Sequence, residues 1–162
     1  MLNLRFTSYL LLILIISLIS IISAYFIEHI LGHQPCNLCL IERIPYGLSI
    51  ILIIIYFVFR KNEKFIILLL TLLFIFSISV SIYHFGIEQD FFKESAICEL
   101  KNSASVTSKE EILKLLSEKT ISCKDVTFKI FGLSLTSINI IISLIIIILL
   151  TKIYKNYEKI RK

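Results

Sequence analysis

The stretch HQPCNLCLIERIPYG, residues 33–47, places a Cys-x-x-Cys pair, Cys36 and Cys39, directly before a long apolar segment. After the last charged residue of the stretch, sixteen residues lead to Phe59, and as a helix they would span about 24 Å. Because the apolar core of a bilayer is about 30 Å thick, a membrane-spanning helix must begin earlier, near Leu38. The two cysteines then lie at or just before its first turn, at the edge of a membrane.

The whole chain has the composition of a membrane protein. Of its 162 residues, 57% are hydrophobic and only 4 are Gly and 2 are Pro, which excludes an ordinary soluble domain. Since one span requires about 20 apolar residues, we predict an all-α bundle of four transmembrane helices in a single membrane domain, residues 1–162. The first apolar segment is too long for the core of a signal peptide, and we expect it to be retained as an anchor. The expected helices are at about 6–27, 38–59, 65–85 and 130–150, with outer loops at about 28–37 and 86–129.

Basic residues are concentrated in the segments that would face one side of the membrane. The N-terminal segment, the link RKNEK at residues 60–64 and the C-terminal tail together carry nine basic and two acidic residues, against eight basic and ten acidic residues elsewhere. By the positive-inside rule, both termini and the link are cytoplasmic. The net charge of +5 is therefore an orientation signal, and we expect a lipid bilayer, and no nucleic acid, as a partner.

All four cysteines, Cys36, Cys39, Cys98 and Cys123, fall in the outer loops or at their boundary. The compartment outside the cytoplasm is usually oxidising, which favours disulfide chemistry. In the chain-entropy model, a bridge within the Cys-x-x-Cys stabilises by about 2 kcal/mol, against about 3.5 kcal/mol for a loop from Cys98 to Cys123. A disulfide within the Cys-x-x-Cys would therefore add little stability, and the pair indicates a redox centre. The spacing of Cys98 and Cys123 fits a staple and a redox partner equally well.

Two side chains near the pair are candidates for binding a ligand. Arg43 follows Cys39 by four residues and shares its helix face, where a guanidinium would favour a thiolate and could donate hydrogen bonds to an oxygen ligand. The simpler interpretation is that Arg43 reaches for the interface or pairs with Glu42. His84, in SIYHFGIEQD, closes the third helix at the same outer level. It is either a ligand contact or an ordinary interfacial histidine.

A metal site is not predicted. Structural zinc requires four convergent ligands, usually from two close pairs. The chain offers one close pair and two isolated cysteines, with His33 as a spare imidazole.

The long outer loop contains one further element. Ser108 and Glu111 form a capping-box pattern, and apolar residues follow them at helical spacing with charges on the opposite face. We predict a short amphipathic helix that lies in the membrane surface.

Three stretches occur at fixed places relative to the predicted helices. PCNLCLIER enters the second helix, YHFGIEQDFF precedes Cys98, and FGLSLTSIN enters the fourth helix after Cys123. Together with the four helices and the second cysteine pair, they resemble the disulfide bond formation protein B (DsbB) family over nearly the whole chain.

The resemblance implies a thiol oxidase of the bacterial cytoplasmic (inner) membrane with its cysteine loops in the periplasm. Such an enzyme reoxidises a soluble thioredoxin-fold oxidase of the DsbA type and passes two electrons to the membrane quinone pool, ubiquinone or menaquinone. The implied catalytic residues are Cys36, Cys39, Cys98 and Cys123, and the implied quinone-binding residues are Arg43 and, by a looser match, His84.

The resemblance also implies a role for each cysteine. Cys98 is attacked by the reduced partner to give a mixed disulfide, and Cys123 is its pair. Cys36 exchanges with this second loop, and Cys39 faces the quinone.

Two alternatives remain at this point. A quinone reductase similar to the vitamin K epoxide reductase family shares the four-helix plan, but there the Cys-x-x-Cys opens the last helix of the bundle and here it opens the second. A non-catalytic protein whose cysteines bind metal or staple loops would purify with metal and without quinone. Its Cys39→Ser variant would behave like the wild type.

Overall fold

The computed structural model describes residues 2–59, 63–93, 123–124, 129–130 and 132–161. Four long helices make up most of this part of the chain: α1 (Leu2–His29), α2 (Asn37–Phe59), α3 (Glu63–Glu88) and α4 (Leu135–Arg161). Each contains a segment long and apolar enough to cross a membrane. The predicted all-α fold with four transmembrane helices is therefore confirmed. The amphipathic helix predicted for the long outer loop lies outside the described residues.

The fourth helix begins at Leu135 rather than near residue 130, because a small hairpin precedes it. Strand β1 (Lys129–Ile130) pairs antiparallel with β2 (Leu133–Ser134), and Gly132 between them has a φ of 82°, which favours glycine. The hydroxyl of Ser134 then accepts a hydrogen bond from the backbone N–H of Ser137 at 3.3 Å. A serine cap of this kind fixes where a helix starts.

The C-terminal end of α3 is closed by a tight contact at Gly86. Its carbonyl accepts hydrogen bonds from the backbone N–H groups of Phe91 at 2.8 Å and Phe92 at 3.1 Å. The Phe92 ring folds back and stacks on Tyr83, with 5.7 Å between ring centroids. A Cβ atom at position 86 would lie 2.2 Å from the Phe92 ring. The glycine therefore lets the chain turn back onto its own helix.

The centre of the bundle is apolar. Its members have almost no exposed surface and come from all four helices; the largest include Leu10, Ile13, Ile53, Leu70, Phe74, Ile146 and Leu150. α3 packs against both α2 and α4, and α1 packs mainly against α2. α1 meets α4 only lightly, which leaves room between them towards the outer end.

Above this apolar layer, small hydroxyl side chains join the helices. Ser49 of α2 donates to Ser17 of α1 at 3.0 Å, and Ser77 of α3 lies 3.1 Å from Ser143 of α4. All four are fully buried. Small residues that bond across helices let the backbones approach closely in a membrane. These contacts join the helices in pairs between the apolar centre and the cysteine pair.

Candidate functional site

Cys36 is the N-cap of α2, and its sulfur faces the first turn. The backbone N–H of Cys39 donates to the Cys36 Sγ at 3.3 Å, and the N–H of Leu40 donates to the Cys36 carbonyl at 3.2 Å. Both cysteines of the pair are free thiols, with 2.9 Å between their sulfur atoms. The helix begins at Asn37, which agrees with the start that the length of the apolar segment requires.

This position favours a thiolate at Cys36. Hydrogen bonding from the Cys39 side chain is the strongest cause; together with the hydrogen bond and charge of His84 it outweighs burial and lowers the pKa of Cys36 from 9.0 to about 4. The positive end of the helix dipole acts in the same direction. Cys36 is therefore the thiol of the pair that is prepared to react.

His84 joins the thiol to a carboxylate. Its Nε2 lies 3.6 Å from the Cys36 Sγ, and its Nδ1 lies 3.0 Å from the Glu42 Oε1. The histidine is 2% exposed and Glu42 is 8% exposed. With Nδ1–H donating to the carboxylate, Nε2 is left as the acceptor that faces the sulfur. A thiol, an imidazole and a carboxylate in line form an arrangement that activates nucleophiles.

Further polar groups from α3 and α4 complete the cluster. The amide nitrogen of Asn139 donates to the Glu42 Oε2 at 3.2 Å, and Asn139 Oδ1 accepts from the Tyr46 hydroxyl. The hydroxyl of Thr136 donates to the Glu88 Oε1 at 2.6 Å. The other oxygen of Glu88 is buried and has no hydrogen-bond partner among the described residues.

Arg43 lies on the same helix but is turned towards α1. Its guanidinium donates to the Glu28 Oε2 at 2.5 Å and lies over the Tyr25 ring, 5.2 Å from its centroid. The partner expected for it, Glu42, bonds to His84 and Asn139 instead. Arg43 therefore links α1 to α2. A guanidinium has five N–H donors, and this ion pair uses one of them.

A cavity of about 300 Å³ lies at this level between the four helices. Its wall is mostly apolar, and its polar lining includes Cys36, Cys39, Glu42, Arg43, His84, Glu88 and Cys123. Small-molecule sites in proteins have this size and this composition, an apolar wall with a few converging polar groups.

A third cysteine lies next to the Cys36–Cys39 pair. Cys123 is disulfide-bonded and 3% exposed, and it packs in one buried cluster with Cys36, Leu38 and Ile87. Its predicted partner, Cys98, lies outside the described residues. The structure thus brings together five of the six predicted site residues.

Sequence reasoning missed the acidic side chains of this site. The sequence suggests Glu42 only as a partner for Arg43 and indicates no role for Glu88 or Glu28. The spacing of His84 and Glu88, four residues apart on α3, was a usable signal, since such residues share a helix face.

Comparison with known proteins supports one family. The family model described as disulfide bond formation protein DsbB matches residues 6–153. An uncharacterized protein of Rickettsia prowazekii (strain Madrid E) is 28% identical over 144 residues, which cover 86% of this chain and 83% of the relative. No solved structure matches the chain. Since the family model covers almost the whole chain, this multi-pass membrane protein with four helices able to cross a membrane belongs to the disulfide bond formation protein DsbB family.

Proposed function

We propose that the protein is a membrane thiol:quinone oxidoreductase that reoxidises a soluble, periplasmic dithiol oxidase of the DsbA type. The observation that carries the proposal is the position of the Cys36–Cys39 pair. Cys36 packs in one buried cluster with the disulfide-bonded Cys123, and all three cysteines line a mostly apolar cavity. A pair in this position can receive electrons from the outer loop and deliver them into the membrane.

The first half of the reaction is thiol–disulfide exchange. A thiolate of the reduced partner attacks the disulfide between Cys98 and Cys123, and one S–S bond breaks as a mixed disulfide forms. The second thiol of the partner then resolves it, so the partner leaves as a disulfide and the loop retains two thiols. Two electrons and two protons have moved to the loop.

A second exchange moves the electron pair to Cys36 and Cys39. A loop thiolate attacks their disulfide, and the loop disulfide forms again as the inner pair becomes a dithiol. The contact of Cys123 and Cys36 in one buried cluster supports this route. Free thiols at positions 36 and 39 together with a bonded Cys123 correspond to the form in which the inner pair holds the electrons.

His84 and Glu42 handle the proton of the inner pair. The Nε2 of His84 accepts the proton of the Cys36 thiol, and the Glu42 carboxylate stabilises the imidazolium that results. Because the pair is buried, the ion pair replaces solvation that water cannot supply there. The proton therefore stays on the imidazole, within hydrogen-bond distance of the Cys36 sulfur and next to the cavity.

The residues around the cavity fit a quinone. The apolar wall suits a lipid-soluble ring. The guanidinium of Arg43 and the Glu88 Oε2, which has no hydrogen-bond partner in the part of the chain that the structure describes, are polar groups of its lining. A quinone bound there would supply the oxidising chemistry by taking up two electrons and two protons. In our proposal Cys39 faces it, and Arg43 and His84 hold it.

The orientation follows from charge. Nine basic residues lie in the termini and the RKNEK link, so we infer that these face the cytoplasm and that the cysteines face the periplasm of the inner membrane.

The direct test is an anaerobic assay with purified protein, a reduced thioredoxin-fold dithiol protein, and ubiquinone or menaquinone, in which quinone reduction is followed spectroscopically. Cys36→Ser and Cys39→Ser should each abolish turnover, while Ser79→Ala, at an exposed position on α3, should leave it unchanged. Normal turnover in either cysteine variant would disprove the proposal.

A further inference from the structure

The reduced cysteine pair and His84 bring three metal-binding atoms together. The two sulfur atoms and an imidazole nitrogen all lie within 4.8 Å of one another. The sequence suggested only His33 as a further ligand beside the pair, because His84 is 45 residues from Cys39 and belongs to another helix. We propose that the dithiol form of this centre binds a thiophilic d¹⁰ cation, with Zn²⁺ as the representative ion.

The distances agree with a tetrahedral ion. Zinc bonds of about 2.3 Å to sulfur and about 2.0–2.1 Å to nitrogen place a sulfur and a nitrogen ligand roughly 3.6 Å apart, and two sulfur ligands roughly 3.8 Å apart. The Cys36 Sγ and the His84 Nε2 are 3.6 Å apart. The two sulfur atoms are 2.9 Å apart and must separate by about 1 Å, a small rotation of the Cys39 side chain.

The surroundings of His84 are those of a metal ligand. Histidines that bind zinc usually donate their other ring N–H to a carboxylate, which fixes the tautomer and the ring orientation. Here Nδ1 lies 3.0 Å from the Glu42 Oε1. Asn139 in turn donates to the second oxygen of Glu42 at 3.2 Å. The Nε2 lone pair is thereby held towards the two sulfur atoms.

The three-atom group does not include Glu88, so a water molecule or a shifted Glu88 side chain would supply the fourth ligand. The Glu88 Oε1 lies 4.0 Å from the His84 Nε2, and the Glu88 Oε2 is buried without a hydrogen-bond partner among the described residues. A buried carboxylate oxygen without a donor is costly, and a cation would remove that cost. Two thiolates, an imidazole and a carboxylate or water form a ligand set that zinc accepts.

Binding of the cation and oxidation of the pair exclude each other. The cation replaces the two thiol protons, so that M²⁺ and the dithiol give a metal dithiolate and two protons, and no electron moves. A disulfide has no thiolate to offer and does not bind. On the proposed function, the bound cation would therefore hold the electron pair on the cysteines and inhibit the enzyme.

The experiment measures zinc binding to the purified full-length protein under anaerobic conditions, by competition with a chromophoric chelator. The reduced wild type should bind one Zn²⁺ per chain, and the form with a Cys36–Cys39 disulfide should bind none. His84→Gln should weaken binding at least about tenfold. His29→Gln, which replaces an exposed histidine at the end of α1, should have no effect.

X-ray absorption of the zinc-loaded wild type makes the test independent of whether the variants fold. Two sulfur ligands at about 2.3 Å and at least one nitrogen at about 2.0–2.1 Å are expected. Absence of stoichiometric binding, equal binding by the disulfide form, or a zinc shell without sulfur would overturn the proposal. Chelator-treated protein that does not reduce quinone would disprove the proposed function without bearing on zinc binding. The two proposals can therefore be tested separately.

Discussion

The Nε2 atom of His84 on α3 lies 3.6 Å from the Sγ atom of Cys36 at the N-cap of α2. These residues are 48 positions apart in the chain, and the contact joins two membrane helices at their outer ends. Because Glu42 holds the other ring nitrogen, the imidazole has one orientation and one free lone pair. The contact therefore supports our proposal that His84 is the base of the site.

Replacing His84 should remove this base. His84→Gln keeps a polar side chain but cannot accept a thiol proton, and we expect quinone-dependent turnover to fall about 10²–10⁴-fold. Affinity for the dithiol partner should be unchanged, since the histidine is buried. Turnover at the wild-type rate, with His29→Gln as the control, would mean that Cys36 ionises without help from His84.

Cys36 should remain ionised in mild acid. Its pKa is lowered to about 4, and the thiolate is the deprotonated form, so it is present above this pH and is lost as the pH falls through it. In chelator-treated protein, the ultraviolet absorption difference between wild type and Cys36→Ser should be constant from about pH 8 to about pH 6 and then decrease. Circular dichroism should confirm that the helices persist. A midpoint near the ordinary thiol pKa would contradict the prediction.

Matched variants distinguish quinone binding by Arg43 from the ion pair that Arg43 forms with Glu28. Arg43→Gln removes a charged donor at the cavity, and we expect the KM for quinone to rise about tenfold or more with little change in the KM for the partner. Glu28→Gln leaves the guanidinium in place and removes its ion pair, so its effect on the quinone KM should be smaller. An equal effect of both variants would show that Arg43 acts by holding α1 against α2.

Gly86→Ala should destabilise the outer end of α3. The new Cβ would lie 2.2 Å from the Phe92 ring, so the ring must leave its place on Tyr83, at a cost of about 1–3 kcal/mol. Thermal unfolding in detergent measures the loss. In a Phe92→Ala background the same change should cost little. Gly47→Ala, where nothing lies within 4 Å of the new Cβ, should be neutral or stabilising; equal losses at both positions would contradict the argument.

The four helices were predictable because a bilayer requires long apolar segments. The start of α2 at Asn37 followed from the same length argument. The start of α4 did not, since the hairpin over residues 129–134 depends on Gly132 and on strand pairing rather than on hydrophobicity.

The sequence predicted which residues lie near one end of the bundle, but it did not predict which of their side chains pair with each other. Cys36, Arg43 and His84 were expected at one level near the outer membrane surface, and the structure brings them together around one cavity. Whether Arg43 meets Glu42 or Glu28 depends on how α1 is rotated against α2. α1 is apolar on nearly every side, so its sequence contains no periodicity that defines this rotation.

The N-cap role of Cys36 links its oxidation state to the stability of the first turn of α2. The sulfur that accepts the N–H of Cys39 carries a negative charge in the dithiol form and loses it when a disulfide forms. A side-chain cap contributes about 0.5–2 kcal/mol, and a charged acceptor bonds more strongly than a neutral one. On the proposed function, the first turn of α2 is therefore more stable in the dithiol form than in the disulfide form, so each turnover would also change the stability of that helix end.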